Sequence, residues 1–102
     1  FDAYAGAGAV KHNPSRSVTV LKPASYAEVE RIAKALKAGD AVVLALRNTP
    51  DNLSKRILDF SFGVSSALDA SVDCVADKVF VISRGAALTD AERMSLRGQG
   101  VL

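Results

Sequence analysis

The sequence predicts an α/β sandwich in which the elements follow the order β-α-β-α-β-β-β and a short helix closes the chain. Residues 17–21 alternate and contain β-branched side chains, which is typical of a strand. Residues 41–46 are apolar at every position, the pattern of a strand that is covered on both faces. Because two strand–helix–strand units follow each other, right-handed crossovers would place both long helices on one face of the sheet.

The first helix is predicted between residues 25 and 38. Ser25 and Glu28 have the spacing of a capping box, in which each side chain satisfies a free backbone N–H group. Gly39 is the residue type that most often ends a helix in the left-handed conformation. The apolar stripe between them, at i, i+3, i+4 and i+7, consists of Val29, Ile32, Ala33 and Leu36.

The second helix is predicted to begin at Thr49-Pro50-Asp51, where a capping residue, a first-turn proline and an acidic side chain follow in order. Phe60 and Phe62 are expected to fill the core beneath it, and Gly63 is expected to end it. Three strands should follow, over 64–68, 72–75 and 78–83. The final helix starts from a second capping box, Thr89 to Glu92, and should run to about Leu96.

The domain organisation predicted from these patterns is one folded unit in a chain of 102 residues. Residues 1–16 contain glycine and proline without helical or strand periodicity, which predicts a flexible linker. The core with its C-terminal helix should span 17–98, and 99–102 should form a tail. The sequence begins with Phe1 rather than methionine, so we expect a fragment of a longer protein.

The residue types present argue against most kinds of chemistry. One cysteine and one histidine exclude an internal disulfide and a Cys/His metal cluster, so no metal or other cofactor is expected. Ser65 lacks the glycine pattern of a nucleophile elbow and a fixed base, so we expect no catalytic residue and no enzyme activity. A net charge of +2 from scattered basic residues does not favour nucleic acid as a partner.

The strands themselves predict self-association. Residues 41–46 and 79–82 are apolar on both faces, whereas the two long helices are expected on one face only. A large exposed apolar sheet face is usually an association site. The pattern therefore predicts a homodimer that pairs sheet against sheet. The alternative is a monomer with one helix on each face.

Several short motifs, in this order and spacing, resemble the core of the SepF family of bacterial cell-division proteins. The likeness runs from Val18 to about Ile82 without an internal gap. The motifs that carry it are Lys22-Pro23-Ala24-Ser25-Tyr26, Ile32-Ala33, Leu36-Lys37-Ala38-Gly39, Ala41-Val42-Val43-Leu44, Lys55-Arg56-Ile57-Leu58-Asp59-Phe60 and Gly63.

The resemblance implies a non-enzymatic adaptor that binds the C-terminal tail of FtsZ. Such an adaptor acts in the cytoplasm at the division septum, dimerises through its sheet, and reaches the membrane only through an upstream amphipathic helix that is absent from this sequence. By likeness to the family, Phe80 would line the tail pocket. Cys74 stands where many members carry a basic residue that helps to hold the tail, and Lys55 and Arg56 match the signature of the second helix.

The dimer interface expected from the sheet consists of Val64, Ser66, Leu68 and Val81. Ser65 and Ser66 stand where larger apolar residues are usual in the family, which suggests a weaker or differently packed interface. Two other functions remain open. One is a divergent SepF-like paralogue that regulates assembly by pairing with other subunits without binding FtsZ, and the other is a ferredoxin-like domain that senses a small ligand.

Overall fold

A four-stranded mixed sheet organises the protein, as seen in a computed structural model that describes residues 16–102. The strand order is β1-β2-β4-β3, with β1 and β2 parallel and the remaining pairs antiparallel. The predicted α/β class is therefore confirmed, whereas the linker expected over 1–16 lies outside the described residues except for Arg16. The elements are β1 (Val18–Leu21), α1 (Val29–Lys37), β2 (Ala41–Ala45), α2 (Asp51–Ala67), β3 (Ser71–Ala76), β4 (Val79–Ser83) and α3 (Asp90–Gly98).

The strand predicted over 64–68 is wrong, because α2 continues through Gly63 to Ala67. A single glycine inside a helix costs about 1 kcal/mol, which packing against the sheet easily offsets. The helix end expected at Gly63 occurs instead after Ala67, and Asp69 just beyond it takes a left-handed conformation with a φ of 55°. The buried residues of α2 continue on both sides of Gly63 and are Ile57, Ser61 and Ser65.

The first face of the sheet packs against α1 and α2, as predicted. Val42 and Leu44 of β2 point into this layer, where they meet Ile32 and Leu36 of α1 and Ile57 of α2. All of these side chains are buried, and they form one core cluster. Both long helices therefore lie on the same side of the sheet.

Phe60 and Phe62 have different environments, although both were expected in the core. Phe60 is half-buried, and its ring meets Tyr26 edge to face with 6.4 Å between the centroids. Phe62 is 55% exposed, so the prediction is wrong for this residue. The reason is helical geometry, because Phe62 lies one position beyond the buried stripe and therefore points away from the sheet.

The second face of the sheet is covered by the chain's own C-terminal segment. Val43, Val79 and Val81 are buried there beneath Leu96 of α3 and Val101. Residues 99–102, expected as a tail, thus contribute a side chain to a second core cluster. Within residues 16–102, the apolar face from which the sheet-to-sheet dimer was predicted is therefore covered rather than open.

An ion pair links this C-terminal segment to Arg16, two residues before β1. Arg16 donates two hydrogen bonds to the carboxylate of Glu92, at 3.0 and 2.9 Å, and two more to the carbonyl oxygens of Ala86 and Ala87. Glu92 also accepts a bond from the N–H of Thr89 at 2.9 Å, which confirms the second capping box. The hydrogen bond from Arg16 is the main reason that the pKa of Glu92 falls to about 2.

Replacing Glu92 with glutamine should therefore remove a pH-dependent part of the stability. Because the folded-state pKa is lowered, the contribution is present above the ordinary pKa of 4.5 and is lost as the pH falls towards 2. After allowance for solvent screening we expect E92Q to cost about 1–2 kcal/mol at pH 7. Urea denaturation should show this gap between wild type and E92Q closing below pH 4. A gap that stays constant with pH would contradict the assignment, and E30Q on the exposed side of α1 serves as the control.

Candidate partner-binding site

Phe80 and Cys74 lie directly opposite each other on the last two strands. Phe80 on β4 is paired with Leu44 of β2 on one side and with Cys74 of β3 on the other. Its half-buried side chain packs on the face that carries α1 and α2, against the first core cluster. Because β4 lies next to the terminal strand β3, this partly accessible ring can bury further apolar area when a partner binds.

Cys74 is exposed, and it lies where the outermost strand is irregular. A register shift separates Cys74 from Ala76, and the thiol donates to the carbonyl oxygen of Ala76 at 3.2 Å. In the described sheet β3 is a terminal strand, paired on one side only. Such an edge can accept an extended peptide through main-chain hydrogen bonds. Cys74 itself brings no positive charge to this edge.

Lys55 and Arg56 are both exposed in the first half of α2. The guanidinium of Arg56 lies over the ring of Tyr26, 4.3 Å from its centroid, in a cation–π contact. Arg56 is thus engaged with the turn that precedes α1, and no described contact joins either basic residue to Phe80. The strand pairing brings Phe80 and Cys74 together, whereas the described contact of Arg56 is with Tyr26.

The four residues predicted for the dimer interface do not share one surface. Val64 and Ser66 belong to α2, and Leu68 is its C-cap, so all three lie on the helical side of the sheet. Val81 lies on the opposite face, where it is 3% exposed beneath the C-terminal segment. With α3 docked, Val81 cannot offer contact area to a partner.

Sequence reasoning missed an exposed apolar position on the outer side of α2. Phe62 precedes the exposed Ser66 by four residues, so the two share one helical face. The signal was available in the i, i+4, i+8 stripe formed by Ile57, Ser61 and Ser65, because it places Phe62 off the buried face. The other large apolar side chain with high exposure in the described chain is Met94 on α3.

Two further observations apply to residues 16–102. Within this range no group of three or more acidic, histidine or cysteine side chains has the arrangement of a metal site. Over the same residues, no helix combines the length and the apolar character needed to cross a membrane.

The comparison with protein families is decisive for the strand–helix core. The family model described as "Cell division protein SepF" matches residues 18–83, from β1 to the end of β4. The chain belongs to the SepF family. The family resemblance expected from the sequence motifs is thereby confirmed, and the matched region ends before α3.

Curated SepF relatives match the same core. The cell division protein SepF of Rhodococcus erythropolis is 39% identical over 70 residues, which cover 69% of this chain and 32% of the relative. The protein of that name from Rubrobacter xylanophilus is 36% identical over 70 residues, covering 69% of this chain and 37% of the relative. The match thus spans about a third of the length of these relatives.

Solved structures of SepF-like proteins share the fold. The SepF-like protein from Archaeoglobus fulgidus superposes with a TM-score of 0.64 at 13% identity, covering 72% of this chain and 93% of its own. The SepF-like protein from Pyrococcus furiosus gives 0.61 at 15% identity, covering 78% of this chain and 100% of its own. At such low identity the likeness shows the fold alone.

Proposed function

We propose that this SepF-family chain is the core of a non-enzymatic cell-division adaptor that binds the C-terminal tail of FtsZ. The observation that carries the proposal is the family match over the whole strand–helix core, β1 to β4. The half-buried Phe80 beside the terminal strand β3 supports it, because this surface offers a peptide an apolar contact and free main-chain groups. The adaptor would act at the division septum and reach the membrane through an upstream segment.

The proposed contact is weak for a physical reason. Cys74 is uncharged and Arg56 is engaged with Tyr26, so neither of these two residues supplies a free charge to the peptide. We therefore expect a dissociation constant in the micromolar range for a single site. Two sites on one dimer would raise the effective affinity for a filament, which presents many tails.

Co-sedimentation with polymerised FtsZ tests this function. The protein should pellet with FtsZ filaments and should stay in the supernatant with filaments of FtsZ that lacks its C-terminal tail. Equal pelleting with both kinds of filament would place the contact elsewhere on FtsZ. No pelleting with either would favour the alternative of a paralogue that pairs with other subunits without binding FtsZ.

The dimer proposed here uses the outer side of α2 rather than the sheet. The second sheet face is already covered, whereas Phe62 is 55% exposed and shares its side of α2 with Ser66. Pairing of two such helices would remove both phenylalanine rings from water. Val64 and Leu68, which flank this side and are half-buried, remain candidates for the rim of the interface.

Replacing Phe62 with glutamate should convert the dimer into a monomer. The substitution puts a charge at the proposed centre of the interface, where desolvation is costly. Size-exclusion chromatography with light scattering should give the mass of one chain for F62E and of two for wild type. M94E is the matched control, because Met94 is 68% exposed on the other side of the sheet. Loss of the dimer in M94E but not in F62E would contradict this interface.

A further inference from the structure

A cavity of about 460 Å³ lies at the carboxyl ends of the two parallel strands. Three separate segments build it: residues 22–24 after β1, residues between 45 and 50 around the end of β2, and Gly100 with Val101 after α3. In open α/β sheets, the carboxyl ends of parallel strands are where ligands commonly bind. The cavity shares no residue with the surface around Phe80 and Cys74.

The charged side chains that line the cavity are all positive. Its lining includes the cations Lys22 and Arg47 and no carboxylate. Arg47 donates from Nε to the carbonyl oxygen of Asp77 at 3.3 Å, which holds the side chain and leaves the two terminal nitrogens to face another acceptor. A planar guanidinium held in this way, with a lysine in the lining of the same cavity, is suited to bind the oxygens of a phosphate group.

The two loops that carry these cations are fixed to each other. Thr49 is buried at 7% exposure, and its hydroxyl donates to the carbonyl oxygen of Pro23 at 3.2 Å. This bond links the segment after Lys22 to the segment after Arg47. The backbone segments that carry the two cations are therefore held at a fixed spacing before any ligand binds. This preorganisation lowers the entropy cost of binding.

We propose that this cavity binds a phosphate group, carried by a small molecule or free in solution, between Lys22 and Arg47. Its volume lies within the range of small-ligand sites and exceeds the size of phosphate alone. The N-terminus of α2 beside the cavity adds the positive end of its helix dipole, and the carboxylate of its first residue, Asp51, lies 3.7 Å from the ammonium of Lys78. This site is independent of the proposed FtsZ contact.

The cavity also connects the ligand to the docking of α3. Val101 lines the cavity, and its N–H donates to the carbonyl oxygen of Leu96 at 2.9 Å, closing the turn that ends the helix. A ligand that contacts this wall would favour the docked position of the C-terminal segment. Binding should therefore slow hydrogen exchange of the α3 amides, by mass action.

Titration with inorganic phosphate, followed by amide NMR at constant ionic strength with chloride as the balancing salt, tests the proposal. We expect saturable shifts at residues 22–24 and 47–49, with a dissociation constant on the order of millimolar. K22Q and R47Q should each weaken binding about tenfold, by loss of one charged partner. K37Q, at the far end of α1, should bind phosphate as the wild type does.

A second titration with ribose 5-phosphate distinguishes the two sources of the phosphate group. Tighter binding than that of inorganic phosphate would identify a phosphorylated small molecule as the ligand class, and equal binding would point to phosphate itself. Shifts that never saturate, or that K22Q and R47Q leave unchanged, would overturn the site. None of these results depends on whether FtsZ binds.

Discussion

Replacing Leu96 with aspartate is expected to detach α3 and to lower the free energy of unfolding by about 3–4 kcal/mol. Leu96 is 2% exposed and packs in the cluster that buries Val43, Val79 and Val81. A carboxylate at this position would have to leave the cluster, and the helix would leave with it. Urea denaturation measures the loss, and binding of a hydrophobic dye should report the uncovered sheet face.

The matched control lies two residues away on the same helix. Met94 is 68% exposed, so M94D introduces the same charge without disturbing a buried contact and should change stability by less than about 0.5 kcal/mol. Once uncovered, the sheet face of L96D should also promote self-association at high concentration. An L96D protein with unchanged stability and no dye binding would show that α3 does not cover the sheet in solution.

Replacing Phe80 with alanine is expected to remove most of the affinity for the FtsZ tail. Truncation of an aromatic anchor at a peptide site typically costs about 2 kcal/mol, which corresponds to about thirtyfold in the dissociation constant. Because the ring is half-buried against the first core cluster, F80A should also lose about 1–2 kcal/mol of stability. The protein should remain folded by circular dichroism, so that the binding loss can be measured by peptide titration.

Two control variants test whether the loss of peptide affinity is specific to Phe80. M94A removes an exposed apolar side chain on the opposite side of the sheet and should leave peptide affinity unchanged. R56Q removes the cation that lies over Tyr26 and should change affinity less than threefold, about 0.7 kcal/mol. An F80A protein that is folded and binds the peptide as tightly as wild type would exclude Phe80 from the site.

Local signals predicted most of the elements correctly. The apolar stripe from Val29 to Leu36 and the left-handed Gly39, with φ of 92°, mark α1 as the structure has it. The fully apolar β2 is central and buried on both faces. A strand was wrongly predicted over 64–68 because two serines and a glycine weakened the helical pattern there. In the structure the buried Ser61 and Ser65 continue the helical stripe that begins at Ile57. Ser61 satisfies its hydroxyl by donating to the carbonyl oxygen of Ile57 at 2.7 Å.

The cover on the second sheet face could not be predicted from local patterns. It depends on three apolar side chains scattered over the last fifteen residues, Leu88, Leu96 and Val101. It also depends on the pairing of Arg16 with Glu92, which are 76 positions apart in sequence. Phe80 and Cys74 were assigned to the site only by likeness to the SepF family. The phosphate cavity could not be predicted, because it is lined by three segments that are separate in sequence and meet only in the fold.

Calorimetric titration with a peptide of the FtsZ C-terminal tail tests the adaptor role most directly. We expect saturable heat, a micromolar dissociation constant and one peptide per protomer. No heat at high peptide concentration, with a protein that is folded and dimeric by light scattering, would contradict it.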